Sequence, residues 1–322
     1  MNRDREKYNR QVNKLAVRAI VTITLITGTV GTSLLLANSF LPAVDSLQTN
    51  KTAYQTIDRV QLALLEVPPF RQDAPGKISP KPNSVQLNLI TATPNQITDE
   101  KAWFERNNLS LPIYVVPNPT LNHSGNLPSQ IPTNFQDNVL IKPIRDGDRY
   151  LLIYGKNYGE GRYLFAYDPN KNNFIYGYDF SNYLLSPSYI NEDISFIVQR
   201  LTWAMQEDNI LYVANAHQTY AKSSHGMNGY LTAIDTNTEQ ILWRSQPLVC
   251  NANNFVMIDD VIICGYGFTA EPDFLYLIDK VTGEILQQIN VKTAPEYSIQ
   301  KDNKLYVRTY DTDYVFEIKQ DF

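Results

Sequence analysis

An aromatic residue opens an apolar run four times in the second half of the chain, at Tyr163, Tyr230, Phe274 and Tyr314. The first three runs reach an aspartate five residues later, at Asp168, Asp235 and Asp279, then pass through a polar turn into a second apolar run. A unit of this kind has two apolar faces and cannot bury them alone, so it must stack on copies of itself. The aromatic spacings are 67, 44 and 40 residues. The last two match a four-stranded blade, and the first implies an insertion of about 20 residues. An aspartate directly after a strand can accept hydrogen bonds from the backbone of the turn that follows. In Val281-Thr282-Gly283-Glu284, Gly283 can supply the positive φ that a tight hairpin needs.

Divided this way, residues 139–180, 194–245 and 252–290 make three four-stranded units. A fourth unit has only three strands, near 295–300, 304–309 and 313–318. Its missing outer strand is expected from Val85–Thr91, a clean polar–apolar alternation that would clasp the last sheet and close a ring. Residues 94–138, rich in Pro and Asn, are expected either to wrap this ring or to add a fifth sheet. Composition agrees with a β-rich globular body: 43% hydrophobic and 11% aromatic, with 21 Tyr. A formal net charge of −5 argues against a nucleic-acid partner.

The charge is unevenly placed. Residues 1–18 carry Arg3, Arg5, Lys7, Arg10, Lys14 and Arg18 against Asp4 and Glu6. No charged side chain then occurs from Ala19 to Val44. About 20 apolar residues suffice to cross a bilayer as a helix, and a basic flank keeps its end in the cytoplasm. The expectation is a cytoplasmic basic tail (1–18), a transmembrane helix or signal anchor (19–44), and a stalk and linker (45–83). The β-domain (84–322) would then be extracytoplasmic. Cleavage as a signal peptide, near Ala37-Asn38-Ser39, is the rival reading, and a buried helix of a soluble protein is the third. Residues 51–66 space Ala53, Ile57, Val60, Leu64 and Leu65 as in a short amphipathic helix. The next 18 residues hold five prolines and read as an extended linker.

The segments LTAIDTNTEQILWR and LYLIDKVTGEILQQ resemble the quinoprotein-like (PQQ-like) β-propeller repeat. Over roughly residues 139–318 the chain resembles an uncharacterised bacterial, membrane-anchored branch of that superfamily. The resemblance implies an all-β fold, a small β-propeller of about four to five blades following the N-terminal membrane helix. It does not imply the quinone: the chain has no adjacent cysteine pair and is too short for the longer ring of the quinoprotein dehydrogenases. No cofactor is expected.

In such a blade the connections between the second and third strands emerge at one end. Here they span 155–162, 215–229, 265–273 and 309–313. They offer hydrogen-bonding and aromatic groups suited to a glycan, a small ligand or a peptide, at Tyr158, His217, Tyr220, Ser224, Asn228, Tyr266, Glu271, Asp273 and Tyr310. Plain surface loops are the competing reading. His217 and His225 match no zinc spacing, so no metal is expected. Glu271 and Asp273 leave an enzymatic reading open, but no residue is assigned to catalysis. Cys250 and Cys264 are expected as two buried thiols, because Cys264 falls opposite Phe255 in the ladder and a bridge would need a bend. The leading functional expectation is a membrane-anchored scaffold or envelope-assembly factor with a protein partner. The alternative is a small-ligand or glycan-binding module, with or without catalysis.

Overall fold

A computed structural model describes residues 62–64, 78–111, 127–128, 130–157, 159–185 and 194–319. The basic tail and the uncharged run 19–44 lie outside them, as does most of the stretch read as an amphipathic helix. Among the described residues no helix is long and apolar enough to cross a membrane.

The fold is all-β, in four sheets. Two strands precede the repeats, β1 (Leu62–Leu64) and β2 (Gln86–Pro94), and a two-residue strand β3 (Asn134–Phe135) leads into the first sheet. That sheet is an antiparallel meander of β4 (Asn138–Asp146), β5 (Arg149–Gly155), β6 (Tyr163–Asp168) and β7 (Asn173–Asp179). The second consists of β8 (Arg200–Glu207), β9 (Ile210–Ala216), β10 (Tyr230–Asp235) and β11 (Gln240–Arg244). The third consists of β12 (Val256–Ile258), β13 (Val261–Tyr266), β14 (Phe274–Asp279) and β15 (Ile285–Asn290). The fourth has β16 (Pro295–Lys301), β17 (Lys304–Thr309) and β18 (Thr312–Lys319) from the C-terminal end. Its outer strand is β2, paired antiparallel to β18 from Pro94 opposite Thr312 to Gln86 opposite Lys319. The clasp expected from Val85–Thr91 is therefore present. Four successive meanders, the last completed from the N-terminal side, are consistent with a β-propeller.

The repeat has a physical cause visible three times. Asp168 Oδ1 accepts from the N–H groups of Asn170 and Lys171, Asp235 Oδ1 from Asn237 and Thr238, and Asp279 Oδ1 from Val281 and Thr282. Each aspartate thus satisfies two turn donors that would otherwise face water unpaired. Gly283 takes φ +73°, and a Cβ there would lie 2.5 Å from the Trp243 ring. Asp259 adopts φ +47° in the turn between β12 and β13.

The second and third strands of the first three sheets are buried on both faces. Along β13, Ile262 and Cys264 join the core shared with the first and second sheets, whereas Val261 and Ile263 join Leu305, Val307 and Phe316 of the fourth. That explains an uninterrupted apolar run where a half-exposed strand would alternate. The faces of the first and fourth sheets turned away from these neighbours are covered by the described parts of residues 94–138. Helix α1 (Glu100–Asn107) lays Phe104 against Tyr297 (5.4 Å between rings) and Trp103 under the Arg308 guanidinium (5.7 Å). Ile131 and Phe135 pack on Leu152, Tyr154, Phe165 and Tyr167 of the first sheet. The described part of 94–138 therefore wraps the sheets. A fifth sheet is not formed by it.

Two expectations are corrected. Leu62–Leu64, read as helix, are extended and pair in parallel with Gly177–Asp179 of β7. The open outer edge of a sheet offers backbone partners that one amphipathic turn of helix cannot match. Cys250 and Cys264 are joined in a disulfide, with 5.4 Å between their Cα atoms. The register is as read, with Val256 opposite Ile263. However, residues 250–254 leave the line of β12 and fold back: Asn251 and Ala252 N–H both donate to the Gly265 carbonyl, at 2.9 and 3.2 Å. The bend delivers Cys250 from the loop, outside the ladder. A short linker before β2 is also pinned. Ser79 N–H donates to the Ile285 carbonyl (2.8 Å), and Lys81 sits 2.8 Å from Asp279 and 3.2 Å from Asp260.

Candidate functional site

The connections β5–β6, β9–β10, β13–β14 and β17–β18 occupy the same place in each meander, which puts them at one end of the sheets. Tyr158 lies outside the described residues. Six of the other candidates, from the second and third sheets, meet in one cluster.

The long β9–β10 connection closes on itself through His217. Its backbone N–H donates to Asn228 Oδ1 at 2.8 Å. Its ring Nδ1 accepts from Thr219 N–H at 3.4 Å, which leaves the proton on Nε2, 2.7 Å from Ser224 Oγ. Ser224 Oγ in turn donates to the Ala221 carbonyl at 3.2 Å. The histidine–serine pair is thus oriented against nucleophilic chemistry: the serine proton points to a carbonyl, away from the imidazole. His217, Ser224 and Asn228 are all buried. Burial lowers the His217 pKa to about 4.

Glu271 ties this connection to the third sheet. One carboxylate oxygen accepts from Ala221 N–H at 2.6 Å, the other from the Tyr266 hydroxyl at 2.7 Å. Burial and the Glu271 charge push the Tyr266 phenol upward, so it remains a donor at any ordinary pH. Tyr266 packs against Gly229, which takes φ +65°; a Cβ there would come within 2.7 Å of the ring. Tyr220 stays 39% exposed and stacks obliquely on Phe268, 5.9 Å between ring centres.

Asp273 immediately precedes β14, beside this cluster. Burial, followed by the charges of Asp311 and Glu271, raises its carboxyl to about 7. Its Oδ1 is buried and has no hydrogen-bond partner. Tyr310 sits in the tight turn of the fourth sheet, where its N–H donates to the Ala294 carbonyl at 3.2 Å. Among the described residues no three of His, Cys, Asp and Glu converge as metal ligands would.

The two titrations have opposite signs. His217 is depressed below the ordinary 6.5, so the unfolded chain takes up the proton first and stability is lost as pH falls from about 6.5 to 4. Asp273 is raised, so its contribution is present at low pH and is lost as pH rises from about 4 to 7. A His217→Gln variant is expected to be less stable at pH 7.5 yet flatter between pH 6.5 and 4.5 in urea melts. An unchanged pH slope would show that His217 is not held neutral.

Sequence reading did not single out a second group, on the inner strands. Lys142 sits in β4 within Leu140-Ile141-Lys142-Pro143-Ile144, whose other residues are buried. A cation inside the apolar run Leu140–Ile144 was the available signal.

No protein-family model matches the chain, and no curated protein matches it in sequence. Solved structures match parts of it. The computationally designed Ika4 protein does so at 12% identity and a TM-score of 0.35, over 54% of this chain and 88% of that one. BamB from Moraxella catarrhalis matches at 13% identity and a TM-score of 0.23, over 54% of this chain and 71% of that one. Sqt1 from Saccharomyces cerevisiae matches at 12% identity and a TM-score of 0.36, over 53% of this chain and 42% of that one. The fold therefore rests on the strand topology described above.

Proposed function

We propose that this chain is a membrane-anchored, extracytoplasmic β-propeller of the quinoprotein-like kind that docks a protein partner on its loop end, as a scaffold or envelope-assembly factor. One observation carries the docking reading. The chemically capable side chains of the loop cluster, His217, Ser224, Tyr266 and Glu271, are consumed in holding the connections together. What that framework presents outward is aromatic surface, Tyr220 beside Phe268. Rigid, partly exposed aromatics on a fixed scaffold are the usual anchors of protein interfaces. The extracytoplasmic placement draws support from the Cys250–Cys264 disulfide, a bond that persists in oxidising compartments. The basic tail before residues 19–44 supports the anchor and its orientation. The same aromatic pair would also suit a sugar ring, which is the alternative reading.

A photo-crosslinking side chain placed at Tyr220 of the full chain, in its own membranes, tests the docking. A single protein adduct is expected there, and none from the exposed Leu242 on β11. Equal adducts at both sites, or a rise in melting temperature with envelope oligosaccharides that Tyr220→Ala removes, would replace docking with the glycan reading. For the compartment, a maleimide polymer should shift the chain's mass only after reduction; labelling of both cysteines without reductant would contradict export.

A further inference from the structure

Lys142 reaches across three sheets. Its ammonium donates to the carbonyl of Thr202 at 2.6 Å and to that of Asn253 at 3.2 Å. Thr202 is free to accept because β8 bulges between Leu201 and Trp203, which removes it from the ladder with β9. Asn253 lies in the bend before β12. A side chain on the inner strand of the first sheet that touches the inner strand of the second and the lead-in to that of the third must stand where those strands converge. The Trp203 ring lies 5.3 Å from the ammonium.

A second cation is close by. Arg200 opens β8 and donates to the Gly159 carbonyl at 3.3 Å. Burial, with the Arg200 charge as the further cause, lowers Lys142 to about 7. Burial alone lowers Arg200 to about 10. Both residues are half-buried. Among the described residues no carboxylate pairs with either one. The buried indole N–H of Trp203 has no acceptor. Two half-buried cations with no counter-charge among the described residues, in a chain of net charge −5, are an arrangement that an anion would relieve.

We propose that Lys142 and Arg200, beside the Trp203 ring, form a binding site for a small oxyanion, a carboxylate or phosphate, where the inner strands of the first three sheets converge. Lys142 uses two of its three N–H donors on carbonyls and keeps one; Arg200 uses one of five. A planar guanidinium fork beside a point-charge ammonium matches two oxygens of one group. Tyr220 and Phe268 play no part in this site. An anion would raise the Lys142 pKa again, so binding near pH 8 should draw a proton from solution.

The test is a titration of the full chain in detergent micelles with inorganic phosphate, and separately with acetate, at constant ionic strength set by chloride. Trp203 serves as the fluorescence reporter. A saturable change is expected with one or both oxyanions, lost in Trp203→Phe. Heat measured at pH 8 in two buffers of different ionisation enthalpy should reveal proton uptake. Lys142→Met should abolish binding, Lys142→Arg should retain it, and Arg200→Gln should weaken it by about tenfold or more. Arg200 makes only one long hydrogen bond, so its variant reports even where Lys142→Met fails to fold. Chloride matching phosphate and acetate, or unchanged affinity in Arg200→Gln, would overturn the proposal and leave Lys142 a brace between sheets.

Discussion

Deleting residues 84–92 is expected to abolish the cooperative thermal transition of the whole four-sheet body. The deletion removes nearly all of β2, and with it the ladder to β18. It also removes Val85 and Leu87, buried among Leu305, Val307 and Phe316, and detaches the chain leading into α1, which covers the other face of the fourth sheet. Folded domains are stable by only about 5–15 kcal/mol, so the loss of one strand together with one sheet cover exceeds what the remainder can absorb. Differential scanning calorimetry checks this. A milder variant, Leu87→Asp, puts a charge into a site that is 4% exposed and should lower the melting temperature without removing backbone pairing. A deletion variant that still melts sharply, within about 3 °C of the parent, would show that β2 decorates a sheet that is complete without it.

The second large effect is expected at Arg308. Its side chain is 1% exposed and ion-paired on both arms, to Asp313 at 2.9 Å and to Asp99 at 2.6 Å. One of the same nitrogens also donates to the Gln96 carbonyl at 2.8 Å. The pairs join β17 to β18 and to the turn before α1, so Arg308 fastens the wrapping segment to the closing sheet. Removing one partner of a buried pair strands the other charge, and Arg308→Met should cost about 3–5 kcal/mol in urea denaturation. Burial already raises the Asp313 carboxyl. Without the arginine it should rise further, making the variant's loss larger at pH 8 than at pH 5. The double variant Arg308→Met with Asp313→Asn should recover part of the loss, because it removes the stranded charge. Additive single losses would mean that the pair is not coupled.

The repeat was legible in the sequence because it is built from local chemistry. Tyr163, Tyr230 and Phe274 open the third strands, and Asp168, Asp235 and Asp279 close them through two backbone donors each. The same holds for the glycine turn at Gly283. The β2 clasp was legible for a different reason: the fourth unit showed only three strands, and Val85–Thr91 alternated as a strand with no unit of its own. What the sequence hid depends on distant parts meeting. The bend that brings Cys250 to Cys264 is held by the Gly265 carbonyl, and no spacing rule encodes that acceptor. Leu62–Leu64 carry a helical pattern, but the edge of β7 decides their conformation. Helix α1 has weak amphipathic character, and it became recognisable only through its contacts with Tyr297 and Arg308. At the loop end, the residue types were legible and their roles were not. His217 and Ser224 look reactive in a sequence, yet the Thr219 and Ala221 backbone groups fix where their protons go.

The pairing of β2 with β18 also sets an order of events during synthesis. Asn95 and Asp313, bonded to each other at the end of that ladder, are 218 residues apart. At about 5–20 residues per second, β2 waits roughly 11 to 44 s for its partner strand to be made. Throughout that interval the segment Gln86–Pro94, which carries no charged residue, is an unpaired strand in search of an edge. The first three sheets can complete themselves as they emerge; the last cannot. A nascent chain stalled shortly before residue 312 would therefore hold three finished sheets and one unfinished one. It should be the species that chaperones hold longest and proteases cut first.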